Sequence, residues 1–289
     1  MKRHRKVFDP KNENPFEISR SKVENFIRCP ACFWLDKVKG VKFPSIPPFN
    51  INSNTDKLLK RDFDSVRGIK THPILEKNGL GHLIPFEHDD LDKWISSLHF
   101  GAKGYFHTVH QETNILLGGG LDDIIMNTNS GELHIVDFKS TSNQSKDPKP
   151  VNLYGDWKMS YKRQMDMYIW ILRRMGYPVN DIGYFIYVDG LHVGINGMID
   201  EDPSMATMKF ATSVLPYESN TDWIEPTLHQ IKETLLRDYC PEHSSDCEEG
   251  NFIKQVGQIM SVESLRSSLV IIFSTCCSQD SQNLQRKYH

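Results

Sequence analysis

"GGGLDDIIMNTNSGELHIVDFKSTS", residues 118–142, decides how the rest of the chain is read. Two apolar runs flank the turn-forming "NTNSGE", the pattern of a β-hairpin. Alternate strand residues share a face, so Asp137 and Lys139 project together while Phe138 enters the opposite layer. Ile135 and Val136 read as buried strand. Asp122 sits on the preceding strand, where it can converge with Asp137, and Asp123 should point to the other face. Two carboxylates with an ammonium beside them suit phosphodiester hydrolysis. Hard oxygen ligands hold Mg²⁺ or Mn²⁺, the Phe138 carbonyl can add one more, and a lysine can orient the attacking water. Gly118–Gly120 remove side chains where a nucleic-acid backbone would have to come close. A hairpin with charged ends would carry the same residues, and a D-x-K triplet alone decides nothing between the two.

Outward from the hairpin, the strongest helical pattern is "DWKMSYKRQMDMYIWILRRMG", with an apolar face through Trp157, Tyr161, Met165, Tyr168 and Leu172 and a stop at Gly176. Gln164 and Tyr168 stand one turn apart on one side of it, with Lys162 and Arg163 beside them as phosphate-contact candidates. Core packing would account for Tyr168 equally well. Upstream, "SRSKVENFIR" reads as a helix that Cys29-Pro30 breaks, followed by an aromatic turn at Phe33 and Trp34. "TDKLLKRDFDSVRG" reads as a helix capped by Thr55, residues 70–90 as irregular, and "DDLDKWISSLHF" as a short helix. Strands are expected in "GYFHTVHQ", "NILLGGGLDDIIMN", "LHIVDFKS", "DIGYFIYVDG" and "MKFATSVLPYES", and a last helix in "TDWIEPTLHQIKETLLRDY". His107 and His110 should face opposite sides of their strand. This order predicts a mixed α/β (α+β) core and not a regular β-α-β alternation. The expected division is a basic tail over 1–17, one domain over 18–250, and a weakly ordered tail over 251–289.

The 289 residues suffice for one large domain, and the formal net charge of −3 offers nucleic acid no bulk attraction, so binding would need a local basic patch. No apolar run reaches the roughly 20 residues needed to span a bilayer. The basic start has no apolar stretch behind it, so an intracellular, cytoplasmic protein without a membrane partner is expected. Six cysteines occur, at 29, 32, 240, 247, 276 and 277. In that setting Cys29-x-x-Cys32 reads as a metal or cluster ligand pair and not as part of a disulfide framework.

Three ordered motifs resemble those of the PD-(D/E)XK nuclease superfamily, in particular its RecB-like branch, which includes CRISPR-adaptation nucleases. They are Gly-x-Leu-Asp (Gly119 to Asp122), Val-Asp-x-Lys (Val136 to Lys139) and Gln-x-x-x-Tyr (Gln164 to Tyr168). The resemblance implies a restriction-endonuclease-like core and cleavage of single- or double-stranded DNA with Mg²⁺ or Mn²⁺, as in exonucleases of repair or defence. It makes Asp122 and Asp137 metal ligands, Lys139 the catalytic lysine, and Gln164 and Tyr168 supporting residues. Other repair or defence proteins would be partners. The chain departs from the branch in one place. RecB-like members usually carry a metal-binding histidine on a helix before the strands, and "TDKLLKRDFDSVRG" has none. Asp62, Asp64 and His72 are nearby substitutes, none of them preferred.

"IRCPACFWL" also resembles the N-terminal cysteine region of RecB-like nucleases that hold an iron–sulfur cluster. On that resemblance Cys29 and Cys32 would join Cys240 and Cys247, and four thiolates suit either a [4Fe–4S] cluster or structural Zn²⁺. Two competing readings remain: an inactive nucleic-acid-binding protein that keeps the nuclease fold, and a cysteine–metal interaction module.

Overall fold

The computed structural model describes residues 7–261 apart from 42, 45–49, 98–104, 143–146 and 148. The basic start at 1–6, part of the 143–148 loop and the end of the chain with Cys276 and Cys277 lie outside the described residues. Two mixed sheets form the centre. The larger has the order β2 (Leu83–Pro85), β5 (Asp123–Asn127), β6 (Leu133–Thr141), β7 (Ile182–Gly190) and β8 (Phe210–Glu218). The smaller has β1 (Phe16–Ser19), β4 (Ile115–Gly118) and β3 (His107–His110). β5 and β6 form the expected hairpin, closed by hydrogen bonds between Asn127, Gly131 and Glu132, with Gly131 at φ +76°. β6 and β7 run parallel, joined through helix α6 (Met159–Arg174), a β-α-β unit inside an otherwise antiparallel sheet.

Side-chain alternation sorts the large sheet into two buried layers. Ile124, Ile135, Phe185 and Tyr187 face α6, whose Met165, Ile169 and Leu172 are buried against them. Ile125, Val136, Phe138, Tyr184 and Ile186 face the other way and pack on Phe63 of α3 (Asn50–Asp64) and Leu75 of α4 (Pro73–Lys77). The Phe63 and Phe138 rings meet edge to face, 5.3 Å between centroids. Each buried layer thus holds a helix against the strand that carries Asp137 and Lys139. Among the described residues no helix is long and apolar enough to cross a membrane.

Several local expectations are corrected. Cys29-Pro30 separates two helices, α1 (Arg20–Arg28) and α2 (Pro30–Lys37), and the expected aromatic turn at Phe33 and Trp34 lies within α2. Proline at the first helical position loses no hydrogen bond and starts a helix as readily as it ends one. α3 begins five residues before Thr55, because Asn50–Asn54 continue its turns. Residues 70–90 contain α4 and β2 where irregular chain is expected. α5 (Leu91–Ser96) is the short helix expected there. Trp157 is 64% exposed in a 3₁₀ turn before α6, so the apolar face starts at Tyr161. Residues 119–122 separate β4 from β5, and the two strands belong to different sheets. α7 (Ile224–Leu235) is the expected last helix, yet residues 248–261 form one more, α8, past the point where no further element is expected.

Candidate active site

The hairpin register puts the two candidate carboxylates side by side. Asp123 pairs with Val136, so one step further along the pairing Asp122 lies opposite Asp137. Asp122 Oδ2 accepts a 3.0 Å bond from the Phe138 amide, which seats its carboxylate over β6 between Asp137 and Lys139. The N–H and C=O of one strand residue point to the same edge, so the Phe138 carbonyl faces the Asp122 side as well. Asp137 is 1% exposed. Its Oδ1 accepts a 2.7 Å bond from Gln164 Nε2 on α6, and its Oδ2 faces the Lys139 ammonium without a hydrogen bond of ordinary geometry. Lys139 in turn lies over the Tyr161 ring, 4.8 Å from its centroid. Of the residues singled out in the sequence, Asp122, Asp137, Lys139, Phe138 and Gln164 therefore converge.

Tyr168 closes the floor. It is buried, and a Cβ on Gly119 would lie 2.7 Å from its ring carbon Cε1. The glycine run therefore makes room for Tyr168, an approach from inside the protein where one from nucleic acid is expected. Lys162 and Arg163 are engaged elsewhere. Lys162 Nζ lies 5.9 Å from the Tyr217 ring centroid, and Arg163 holds Glu24 of α1 through two bonds of 2.8 and 2.5 Å. Arg163 ties α1 to α6.

Three residues outside the sequence motifs, Lys60, Asp56 and Arg20, complete the cluster. Lys60 of α3 bonds Asp122 Oδ1 at 3.3 Å and Asp56 Oδ2 at 3.1 Å, bringing a third carboxylate to the site from a helix 62 residues earlier. The i, i+4 spacing of Asp56 and Lys60 is visible in the sequence, but nothing local places that face of α3 beside Asp122. Arg20, at the start of α1, acts electrostatically on Asp137, Lys139 and Tyr168 together. The substitutes considered for the helical histidine are engaged elsewhere, Asp62 acting electrostatically on His72. Asp64 pairs with Arg67, and His72 caps α4 and stacks on Phe63. Asp123 does face the opposite layer, fully buried and clasped by Arg67 through two 2.9 Å bonds.

Three carboxylates, Asp56, Asp122 and Asp137, and three cationic groups, Lys60, Lys139 and Arg20, meet at this cluster. Burial, reinforced by the neighbouring Asp122 charge, pushes the Asp137 carboxyl up to about 6 despite Lys139. Burial and the Asp122 charge raise Asp56 as well. Burial works to lower Lys139 and Lys60, but the surrounding carboxylates outweigh it and raise both. The carboxylates of Asp56, Asp122 and Asp137 are hard oxygen donors of the kind that hold Mg²⁺ or Mn²⁺.

The cysteines form a second cluster at the far end of α1. Cys29, Cys32, His243 and Cys247 bring their ligand atoms within 4.8 Å of one another. His243 takes the place expected for Cys240, whose sulfur instead lies 3.9 Å from the Ala31 carbonyl. The signal in the sequence is the spacing His243-x-x-x-Cys247, which an inventory of cysteines alone passes over. A further group, His110, Glu112 and His229, meets near the surface; His229 bonds Glu112 at 3.0 Å, and His110 bonds Thr113 at 2.9 Å.

A carboxylate pair and a lysine on the middle strands of a mixed sheet, braced by a helix behind, form an arrangement compatible with metal-assisted hydrolysis of a phosphodiester. A family model, the PD-(D/E)XK nuclease superfamily, matches residues 83–249, and the chain belongs to that family. Its core is accordingly restriction-endonuclease-like, and the family is one of phosphodiester-cleaving nucleases that use divalent metals. No curated protein matches the chain.

Proposed function

We propose that the chain is a Mg²⁺- or Mn²⁺-dependent deoxyribonuclease of the RecB-like branch. In this reading the metal is held by Asp122, Asp137 and the Phe138 carbonyl, with Lys139 as the catalytic lysine. The single observation that carries the reading is the contact of Gln164 and Lys139 with Asp137, beside Asp122 bonded to the Phe138 amide, which joins side chains from all three sequence motifs. Tyr168 supports it from below, against Gly119. When bound, the metal lowers the pKa of a coordinated water and neutralises charge developing on the phosphate. Gln164 fixes the rotamer of Asp137 by occupying Oδ1, which leaves Oδ2 to face the cation and Lys139. The Lys139 ammonium, held between Asp137 and the Tyr161 face, orients the attacking water and stabilises the pentavalent phosphate as a point charge. The attacking water gives a proton to solvent as its oxygen bonds to phosphorus, the bond from phosphorus to the leaving sugar oxygen breaks, and a proton from solvent completes the alcohol.

Asp56 serves as the third carboxylate, in the role that a helical histidine fills elsewhere in the branch. Asp56→Ala should lower Mn²⁺-dependent cleavage by about 10–100-fold, the usual cost of losing a group that supports a metal ligand. Unchanged rates would remove Asp56 from the site.

The pH dependence has a defined sign. The Asp137 carboxyl is raised to about 6, so the metal-free folded protein holds below that pH a proton that a carboxylate in the unfolded chain releases near 3.8. A metal must displace that proton, so Mn²⁺ affinity should be constant above about pH 6 and fall by about tenfold per pH unit below it. Calorimetric Mn²⁺ titration at several pH values checks this; an affinity flat across pH 6 would contradict the role of Asp137.

The whole reading is tested by incubating the purified chain with end-labelled and circular DNA, and with RNA, in Mn²⁺, in Mg²⁺ and with a chelator. Metal-dependent cutting of DNA is expected. DNA binding without cutting in either metal would favour an inactive nucleic-acid-binding protein instead. An intracellular setting, expected from the sequence, goes with a DNA substrate.

A further inference from the structure

The Cys29, Cys32, His243 and Cys247 group has the dimensions of a coordination sphere around a single ion. His243 Nδ1 lies 3.4 Å from Cys29 Sγ, 3.5 Å from Cys32 Sγ and 3.8 Å from Cys247 Sγ, and the Cys32 and Cys247 sulfurs are 3.4 Å apart. A tetrahedron with Zn–S bonds of about 2.3 Å and a Zn–N bond of about 2.0–2.1 Å has edges of about 3.5–3.8 Å, so the separations found match it to within about 0.4 Å. The Cys32–Cys247 separation is far longer than a disulfide bond, and all four sulfurs in this region are free thiols. A cubane cluster would place each ligand on a separate iron and hold the ligand atoms much further apart. We infer that Cys29, Cys32, His243 and Cys247 bind one tetrahedral Zn²⁺, a structural site independent of the nuclease reading.

The surroundings are built for it. Cys29 is fully buried, and Cys32 and Cys247 nearly so. The Gly250 amide donates to Cys247 Sγ at 3.2 Å, a bond that suits a thiolate. Gly250 is also required for the imidazole, since a Cβ there would sit 2.4 Å from His243 Cγ. Arg28 and Glu249 close the outside with a 2.7 Å ion pair. Apolar packing is too sparse to hold this segment by itself. Between residues 236 and 246 none is buried, and the local cluster consists of Cys29, Ala31, Cys32 and Cys247 with Phe43 and Cys240 packed on it. Ordering such a stretch needs a bond of another kind, and soft thiolates with an imidazole select zinc over magnesium or calcium. The ion would clamp the segment after α7 onto the joint between α1 and α2. From that joint α1 runs back past Glu24, the partner of Arg163, to Arg20 at the candidate active site.

The test uses the full chain purified without chelator. Elemental analysis should give one zinc per chain and no acid-labile sulfide, and exchange for Co²⁺ should produce the d–d bands of a tetrahedral thiolate site together with sulfur-to-cobalt charge transfer. His243→Ala should bind zinc at least about tenfold more weakly. His243→Cys should keep it with stronger charge transfer, and Cys240→Ser should leave the metal content unchanged. Stripping zinc from the wild-type chain should lower its thermal midpoint, a readout that does not depend on any variant folding. Iron with inorganic sulfide, full zinc in His243→Ala, zinc lost in Cys240→Ser, or a midpoint indifferent to zinc would each overturn the site.

Discussion

Asp137→Asn is expected to abolish metal-dependent cleavage, by about 1,000-fold or more, while the protein stays folded. A thousandfold loss corresponds to about 4 kcal/mol of transition-state stabilisation, within reach of one group that both binds the metal and positions the lysine. The amide is nearly isosteric, so Gln164 and Lys139 keep neighbours of the right shape. What changes is charge: a neutral side chain binds a divalent ion weakly and no longer anchors the Lys139 ammonium. Stability should move the other way or not at all. Asp137 is 1% exposed and its carboxyl is pushed up to about 6 by burial, so ionising it at neutral pH opposes folding, and the amide relieves that cost. Cleavage assays beside thermal melts separate the two effects. Retained cleavage in Asp137→Asn would sink the metal-site assignment, and loss of cleavage with loss of fold would say nothing about chemistry. Lys139→Met supplies the check in that event, because it removes the ammonium and leaves both carboxylates in place.

Arg67→Ala is expected to destabilise the fold by about 3–5 kcal/mol, the usual cost of stranding a buried charge. Asp123 is fully buried against the α3 layer, and the two guanidinium bonds are its charged partners there. Burial already pushes the Asp123 carboxyl up. Without Arg67 it would take up a proton more readily still, so the sign of the pH dependence follows. With a folded-state pKa above the unfolded value, the protonated form favours folding at low pH, and stability is lost as pH rises through the folded pKa. The Arg67→Ala penalty should therefore be larger at about pH 8 than at about pH 5, and adding Asp123→Asn should recover part of it. Urea denaturation of the single and double variants measures this. A penalty below about 1 kcal/mol would mean that Asp123 reaches solvent or another donor. The adjacent aspartates thus have different surroundings: Asp122 lies beside Asp137 at the candidate site, and Asp123 lies in the core.

That division is legible in the residues of the hairpin alone, because it rests on the two-residue period of a strand. Given β5 and β6, the turn fixes their register, and the register puts Asp122 opposite Asp137 and turns Asp123 to the other layer. Gln164 is legible through its spacing to Tyr168 and not through amphipathy, since α6 is buried on every side from Gln164 to Leu172. Helix boundaries are less legible. Pro30 reads as a stop where it is a start, and Trp157 reads as core where the helix has not yet begun. Propensity does not separate those cases, because the same residue serves both ends of an element.

Periodicities within about thirty residues thus specify the mixed α/β class, the hairpin, the facing of its acids and the helix that supports them. Tertiary packing alone brings Lys60, with Asp56 beside it, to Asp122 from 62 residues away. It also commits Arg163 to Glu24, and makes His243 and not Cys240 the residue that completes the thiolate group with Cys29, 214 residues away. Those pairings follow from how helices lie against sheets, where packing of apolar layers fixes which exposed faces meet; no local spacing encodes which distant charge or ligand will be found there.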